Sequence, residues 1–439
     1  MIIGAGAAGL AAARDLSAAG VKVTLLEARE RVGGRIHTQH DPRITPIEFG
    51  AEFVHGKSPH LMQIIEAASA PFCDVSTRHW YVDNGFPANS HDFWNKLNAV
   101  MDLMNPAAPD RSLSEFLASL PDDEATTRAK DIVVRYVEGF HAAEINRIGV
   151  HGLIKANEAE AEVDGDHSFR VLGGYDLVIE TLRAQAEAQG AQIRLETIVK
   201  EIRWHRHSVE VVCIADKRLQ VFAGSQAVIT LPLGVLQAKA HQRGAVRFVP
   251  ELPREKQAAL ATIEMGHAAR ITLHFRERFW EQLSLPGAGR QENFSQLGFI
   301  TSPNLSFPTW WTHLPVRTPV LVGWTGGPGA ENFAGRNKEY AIEQALISLE
   351  RILGVKTDSL RKLLVAGYTH DWTSDPFSRG AYAYLPVNGL AAQQMLARSL
   401  DETLFFAGEA VSVGHIGTVH GAIGTGRRAA AEVLPALQQ

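Results

Sequence analysis

One junction at the amino terminus constrains this chain more than any other stretch. Gly4-Ala5-Gly6-Ala7-Ala8-Gly9 fits G-x-G-x-x-G between the apolar Met1-Ile2-Ile3 and a helical run from Leu10 to Ala19 that Gly20 stops. The first glycine permits a tight turn, the second lets backbone approach a pyrophosphate, and the third lets helix and strand pack closely. Backbone N–H groups and the helix dipole then favour phosphate charge. Glu27 ends the next apolar strand, Val21–Leu26, 18 residues past Gly9, where an acid accepts from ribose hydroxyls. A plain turn with a surface Glu is the bland alternative. The strand–turn–helix–strand context favours a dinucleotide-binding βαβ unit.

Composition removes other classes. With 43 Lys+Arg against 48 Asp+Glu, net charge −5, the chain lacks the basic excess that displaces counterions from nucleic acid. Cys73 and Cys213 are its only cysteines, too few for a disulfide framework or a Cys-based zinc site. His205 and His207 share a strand face but have no third ligand of suitable spacing, so no metal site is expected. No apolar run approaches the roughly 18 residues needed to span a bilayer. Met1-Ile2-Ile3 runs straight into Gly4, leaving no room for a secretory leader; a cytoplasmic location follows if Met1 is the true start.

Length fits two or three core-forming units, or one large two-domain enzyme. Apolar spacing is helical from about Pro59 to Ala161, with breaks at Pro71, Pro106, Pro109 and Pro121. A helix is expected at Tyr175–Gln189, strands at Gln192–Val199, Val209–Ile214 and Ala227–Leu231, a helix at 253–262, and a strand at Ala269–Phe275. A helix at Tyr340–Leu353, a strand at Thr403–Ala407 and a final helix at Gly421–Leu434 complete the pattern. We expect an α/β fold in which residues 1-60, 170-250 and 380-439 form a discontinuous nucleotide-binding domain. Residues 61-169 and 251-379 would form a second, substrate-binding domain.

Beyond Glu27 run Ala28-Arg29-Glu30-Arg31-Val32-Gly33-Gly34-Arg35 and Glu48-Phe49-Gly50-Ala51-Glu52-Phe53-Val54-His55-Gly56. By spacing alone these arginines read either as phosphate partners or as a solvated loop. These blocks, with Phe405-Phe406-Ala407-Gly408-Glu409 and Gly417-Thr418-Val419-His420-Gly421-Ala422-Ile423, resemble the flavin-containing amine oxidases: monoamine oxidases, polyamine oxidases and flavin-dependent lysine demethylases. The resemblance covers essentially the whole chain, and its TVHGA wording is nearer the polyamine oxidase and demethylase branch. It implies a glutathione-reductase-like, Rossmann-type FAD domain with an inserted α+β substrate domain. It also implies that Gly4, Gly6, Gly9 and Gly34 line the dinucleotide, with Glu27 on the adenosine ribose and Arg29 and Arg35 near the pyrophosphate. Gly50, Ala51, Glu52 and Phe53 would run along the flavin, and Val199 would meet adenine through its backbone. Glu409 would bind near the ribityl chain or pyrophosphate, and Thr418 and Val419 would meet the flavin pyrimidine edge.

Two departures from the family pattern matter. Arg270, in Met265-Gly266-His267-Ala268-Ala269-Arg270, takes the position of a Lys linked to oxygen reactivity; it keeps the charge but does not deprotonate and fills more space. Slow reaction with O2, or another electron acceptor, is therefore expected. Ala381 aligns with the flavin-linked Cys of monoamine oxidases, so FAD is expected to bind noncovalently. The resemblance places Trp372 and Tyr382 in an aromatic cage whose opposite wall is Thr418. It also makes His55 a residue that orients or deprotonates substrate, against a plain loop His. Trp310, Trp311 and Trp324 are either pocket lining or core. The implied reaction takes a hydride equivalent from the α-carbon of a neutral amine to flavin N5, followed by hydrolysis of the iminium to an aldehyde or ketone and an amine or ammonia. The alternatives are an amino-acid oxidase or desaturase on the same fold, with Arg270 or Arg379 holding a carboxylate, or a flavin-binding protein of low turnover.

Overall fold

The computed structural model describes all residues except 77, 84–85, 90–92, 284–293 and 438–439. Its organising element is a parallel five-stranded sheet gathered from the start, middle and end of the chain. The strands are β1 (Ile2–Ile3), β2 (Thr24–Leu26), β3 (Gln192–Arg194), β4 (Ala227–Ile229) and β5 (Leu404–Phe406), in the order β3-β2-β1-β4-β5. Ile2 sits between Leu25 and Val228 in register, so the two-residue β1 is the centre of the sheet.

Strand alternation divides these short strands between two cores. Ile2, Leu25, Val228 and Phe405 face one side, where helix α1 (Ala7–Ala18), the helix Asp176–Ala188 and the C-terminal helix α2 (Val419–Ala436) supply Ala11, Leu182, Ile423 and Ala429. Ile3, Leu26, Ile229 and Phe406 face the other, against Ile202 and Val211 of a four-stranded sheet. Burial on both faces is why the strands read as continuous apolar runs.

The glycines set how closely these layers meet. Gly4 holds φ +104°, and a Cβ at Gly9 would lie 1.9 Å from the Gly4 carbonyl oxygen. A Cβ at Gly426 would lie 2.1 Å from the Ala8 oxygen, so α2 rests directly on the first turn of α1. At Gly6, by contrast, a Cβ would meet nothing within 4 Å.

A seven-stranded sheet builds the other half of the molecule, in the order Leu364–Tyr368, Ala268–Phe275, Val320–Gly326, Thr309–Trp311, Phe299–Thr301, His79–Asp83 and Phe86–Asn89. The stretch expected to be helical from Pro59 onward is therefore partly β: Phe72–Asp74, His79–Asp83 and Phe86–Asn89 are strands. Two of them take their order from remote partners: Phe72 pairs with Val171, and His79 with Phe299. A strand at Arg218–Gly224, also unexpected, closes a hairpin on Ser208–Ala215. Its turn residues Asp216 and Lys217 both have positive φ, 48° and 61°, as a tight hairpin turn requires. Among the described residues, no helix is long and apolar enough to cross a membrane.

The two neighbouring glycines generate opposite expectations. Gly9→Ala should cost about 1–3 kcal/mol or prevent folding, because the obstructing atom is backbone. Gly6→Ala, at φ −78°, should change stability by less than about 1 kcal/mol. Denaturant unfolding of the two ligand-free variants checks this, and equal stabilities would contradict the packing described.

Candidate active site

A continuous cavity of about 1260 Å³ runs from the glycine-rich turn to the seven-stranded sheet. It exceeds the roughly 300–1,000 Å³ of an ordinary small-ligand site, leaving space for a dinucleotide and a substrate. Every expected site residue borders it except Gly9, which lies beneath the turn and acts through helix–strand packing.

At the nucleotide end, Gly6 is the N-cap of α1 in an extended conformation and forms an isolated parallel bridge with Gly33. The Glu27 carboxylate is anchored by the Ala5 N–H at 2.8 Å and the Arg29 N–H at 2.9 Å. Each oxygen keeps lone-pair capacity for a ribose hydroxyl. Val199 is buried at the start of the strand Ile198–His205. The Arg29 guanidinium is already engaged, donating to Asp375 at 2.8 Å and to the Ser378 hydroxyl at 3.0 Å. Asp375 also bonds His370, whose ring packs 4.1 Å from that of Trp372. The loop carrying Trp372 is thereby tied to the exit of β2.

Toward the other end, Gly50 is closely confined: a Cβ there would lie 1.9 Å from the Arg35 carbonyl oxygen and 3.3 Å from the Trp372 ring. Arg35 pairs with Glu409 at 2.9 Å, and the other Glu409 oxygen accepts from the Ala383 and Gly417 N–H groups. Glu409 thus braces three segments. Thr418 is the N-cap of α2: its hydroxyl accepts from the Gly421 N–H at 3.0 Å and donates to the His415 carbonyl at 2.8 Å. Capping leaves the positive end of α2 beside the cavity, with Val419 as its first residue.

The remaining wall combines aromatic rings with carboxylate-bearing residues, Asp131, Glu138 and Glu160 among them. Trp372 donates to the Phe49 carbonyl and Tyr382 to the Phe140 carbonyl, at 2.8 and 2.7 Å, so both rings are fixed. Trp311 and Trp324 border the cavity, whereas Trp310 is fully buried core beneath Gly323. His55 bonds the Ser168 hydroxyl at 3.1 Å, and burial pushes its imidazole down to about 4. It is therefore neutral at neutral pH. Ala381 carries no sulfur, and neither Cys73 nor Cys213 borders the cavity.

Sequence reasoning missed the partners of Arg270. Its guanidinium lies 2.6 Å from Glu52 Oε2, while Arg170 donates to Glu52 Oε1 at 2.7 Å. Trp311 Nε1 donates to Glu52 at 3.2 Å, and His313 stands 3.8 Å away. The Glu52 side chain therefore turns into this cluster, and the expectation that residues 50–53 meet a flavin rests on their backbone and on Phe53. Glu48 was also missed; it accepts from the Tyr175 N–H and the Thr38 hydroxyl at 2.8 and 2.7 Å.

A nucleotide-sized cradle at a helix start, a second helix N-terminus at the far end and an aromatic wall between them find their match among known proteins. The chain belongs to the flavin containing amine oxidoreductase family. That family's model matches residues 7–434. Polyamine oxidase 3 of Oryza sativa subsp. japonica is 31% identical over 98% of this chain and 88% of its own length. Lysine-specific histone demethylase 1 homolog 2 of Arabidopsis thaliana is 30% identical over 99% of this chain and 58% of its own. In three dimensions the chain is similar to putrescine oxidase bound to putrescine (TM-score 0.81, 21% identity, 99% of this chain and 98% of that one). It is also similar to cyclohexylamine oxidase from Brevibacterium oxydans IH-35A (TM-score 0.79, 20% identity, 100% and 99%). These likenesses establish the Rossmann-like fold of flavin-dependent amine oxidases.

Burial raises the Glu48 carboxyl from the ordinary 4.5 to about 7. The folded state then holds a proton that the unfolded chain has lost, so stability falls as pH rises from about 4.5 to 7. Glu48→Gln keeps an acceptor without ionising. It should remove about 1–3 kcal/mol of that fall, measured as the difference in unfolding free energy between acidic and mildly alkaline buffer; an unchanged slope would contradict the assignment.

Proposed function

We propose that this flavin-dependent amine oxidoreductase holds FAD noncovalently and oxidises the C–N bond of an aliphatic amine. The observation that carries the reading is the continuity of the cavity, which is bordered by Gly6 and Glu27, by the capped start of α2, and by Trp372, Tyr382 and neutral His55. Three features support an FAD fit. They are the open space over Gly6, the Glu27 carboxylate held toward the turn, and a buried Arg270 Nε with no hydrogen-bond partner. The absence of a thiol from the cavity wall supports noncovalent binding. Residues 1-60, 170-250 and 380-439 would then form the cofactor unit, and 61-169 with 251-379 the substrate unit.

Bound there, the flavin supplies the two-electron oxidation. The chain itself orients the amine against the aromatic wall and excludes water. The aromatic stretch of the wall favours the uncharged amine at the point of reaction, because burying an unpaired ammonium there is costly. His55, already neutral, is a proton acceptor within that wall. Water then converts the released imine to a carbonyl product and ammonia or a smaller amine.

Amino-acid oxidation would require a free cation for the substrate carboxylate. Arg270 is paired with Glu52. Arg379 does not border the cavity and donates to the Arg243 carbonyl at 2.6 Å. Arg379 is thus poorly placed for that role, and the unpaired Nε of Arg270 is assigned to the cofactor rather than to a substrate carboxylate. The Arg270 substitution supports slow reoxidation by O2, or use of another acceptor, since a guanidinium is a much weaker proton donor than the ammonium it replaces.

Anaerobic mixing with a panel of substrates tests the reading. Primary or secondary aliphatic amines should bleach the flavin absorbance, amino acids should not, and colour should return slowly on admitting air. Bleaching by amino acids alone, or by nothing, would contradict it.

A further inference from the structure

The cluster behind Arg270 is an unusual use of buried charge. Arg170, Arg270, Glu52 and His313 are each less than 10% exposed. They come from distant parts of the chain: Glu52 precedes the strand Phe53–His55, Arg170 lies across from Phe53 on the neighbouring strand, and Arg270 lies on Ala268–Phe275. Removing several charges from water is costly unless they are paired. Here pairing is incomplete by one. Burial alone would raise the Glu52 carboxyl, but the Arg270 and Arg170 guanidiniums overcome this and hold it well below the usual carboxylate range. Burial, followed by Arg170 and Arg270, pushes His313 down to about 3, so it stays neutral. Among these four groups two cations against one anion leave a single net positive charge, which neighbouring Glu48, held protonated by burial up to about pH 7, does not cancel below that pH.

The geometry gives that charge a direction. Arg270 and Glu52 border the cavity, whereas Arg170 and His313 stand behind them. Arg170 is further held by the Leu314 and Thr312 carbonyls at 3.3 and 3.5 Å and lies over the Phe53 ring. Arg270 lies over the Trp311 ring, and one of its NH groups reaches the Gly50 carbonyl at 3.4 Å. Its Nε is buried and has no hydrogen-bond partner in the protein. An unpaired donor on a buried cation costs more than a net hydrogen bond returns, so a ligand acceptor is the natural occupant of that position.

We propose that Glu52 is a positioning residue for the redox site: it fixes the Arg270 guanidinium at the cavity wall and cancels the Arg170 charge behind it, so that a bound flavin faces one unbalanced positive charge. A cofactor that gains negative charge on reduction is stabilised in its reduced form by such a cation. The cation's strength is therefore set by Glu52 as much as by Arg270. This proposal rests on the reading that flavin occupies the cavity.

The test uses FAD-reconstituted protein, with two readouts besides turnover: the FAD dissociation constant and the two-electron midpoint potential under argon. Arg270→Met, which leaves Glu52 paired with Arg170 alone, should shift the equilibrium at least tenfold toward oxidised flavin, about 30 mV lower for a two-electron couple. Arg270→Lys should stay within about threefold of the parent. Glu52→Gln should shift the equilibrium at least tenfold toward the reduced form. A folded Glu52→Gln whose potential equals the parent's overturns the proposal; if it does not fold, Arg170→Met, which leaves Glu52 to cancel Arg270, should move the potential in the same direction as Arg270→Met, and an unchanged value overturns the proposal. A potential unchanged by Arg270→Met, or moved equally by Met and Lys, overturns the proposal while FAD binding stands. Failure of the parent protein to bind FAD overturns the cofactor reading itself.

Discussion

Backbone-to-backbone contact at the first turn of α1 is the constraint on which the other parts of the molecule depend. Gly9 lies on the Gly4 carbonyl and Gly426 lies on that of Ala8, so three chain segments meet where side chains have no room. The approach presents the start of α1 to the cavity with nothing over Gly6. It also fixes α2, an 18-residue helix whose own N-terminus reaches the opposite end of the same cavity. A parallel sheet buried on both faces is the scaffold that sustains such contact, because each strand feeds both cores.

Charge in the site follows a consistent rule: its principal arginines are each paired with a carboxylate remote in sequence. Arg29 pairs with Asp375, Arg35 with Glu409, and Arg270 with Glu52. Each pair joins segments that the sheet alone leaves independent. Largely buried, such pairs are stronger than on the surface, and losing one partner strands the other. The pairs therefore act as braces as well as electrostatic elements. They leave Trp372, Tyr382 and the neutral imidazole of His55 as an uncharged stretch of the wall.

The glycine-rich turn, Glu27 and the C-terminal block were legible in the sequence because their roles are local. A glycine is required where a turn and a helix start coincide, and Glu27 reaches the turn directly, accepting from the Ala5 N–H. Helices such as Lys338–Leu353 were legible through their periodicity. The strands Phe72–Asp74 and His79–Asp83 were not, since three to five residues carry no reliable period and each has a pairing partner about 95 to 220 residues away. The same limit hid Arg170, 118 residues from Glu52. An Arg in a strand reads as a surface residue until its carboxylate is found. Arg270 was recognised only as a departure from a family pattern, and its meaning changed once Glu52 was seen beside it.

The most direct measurement is a structure of the protein crystallised with FAD. The pyrophosphate should lie over Gly6 at the start of α1, with the isoalloxazine between the Gly50–Phe53 backbone and the first turn of α2. An isoalloxazine bound elsewhere, or a cavity that remains without cofactor at saturating FAD, would contradict the arrangement of the site described above.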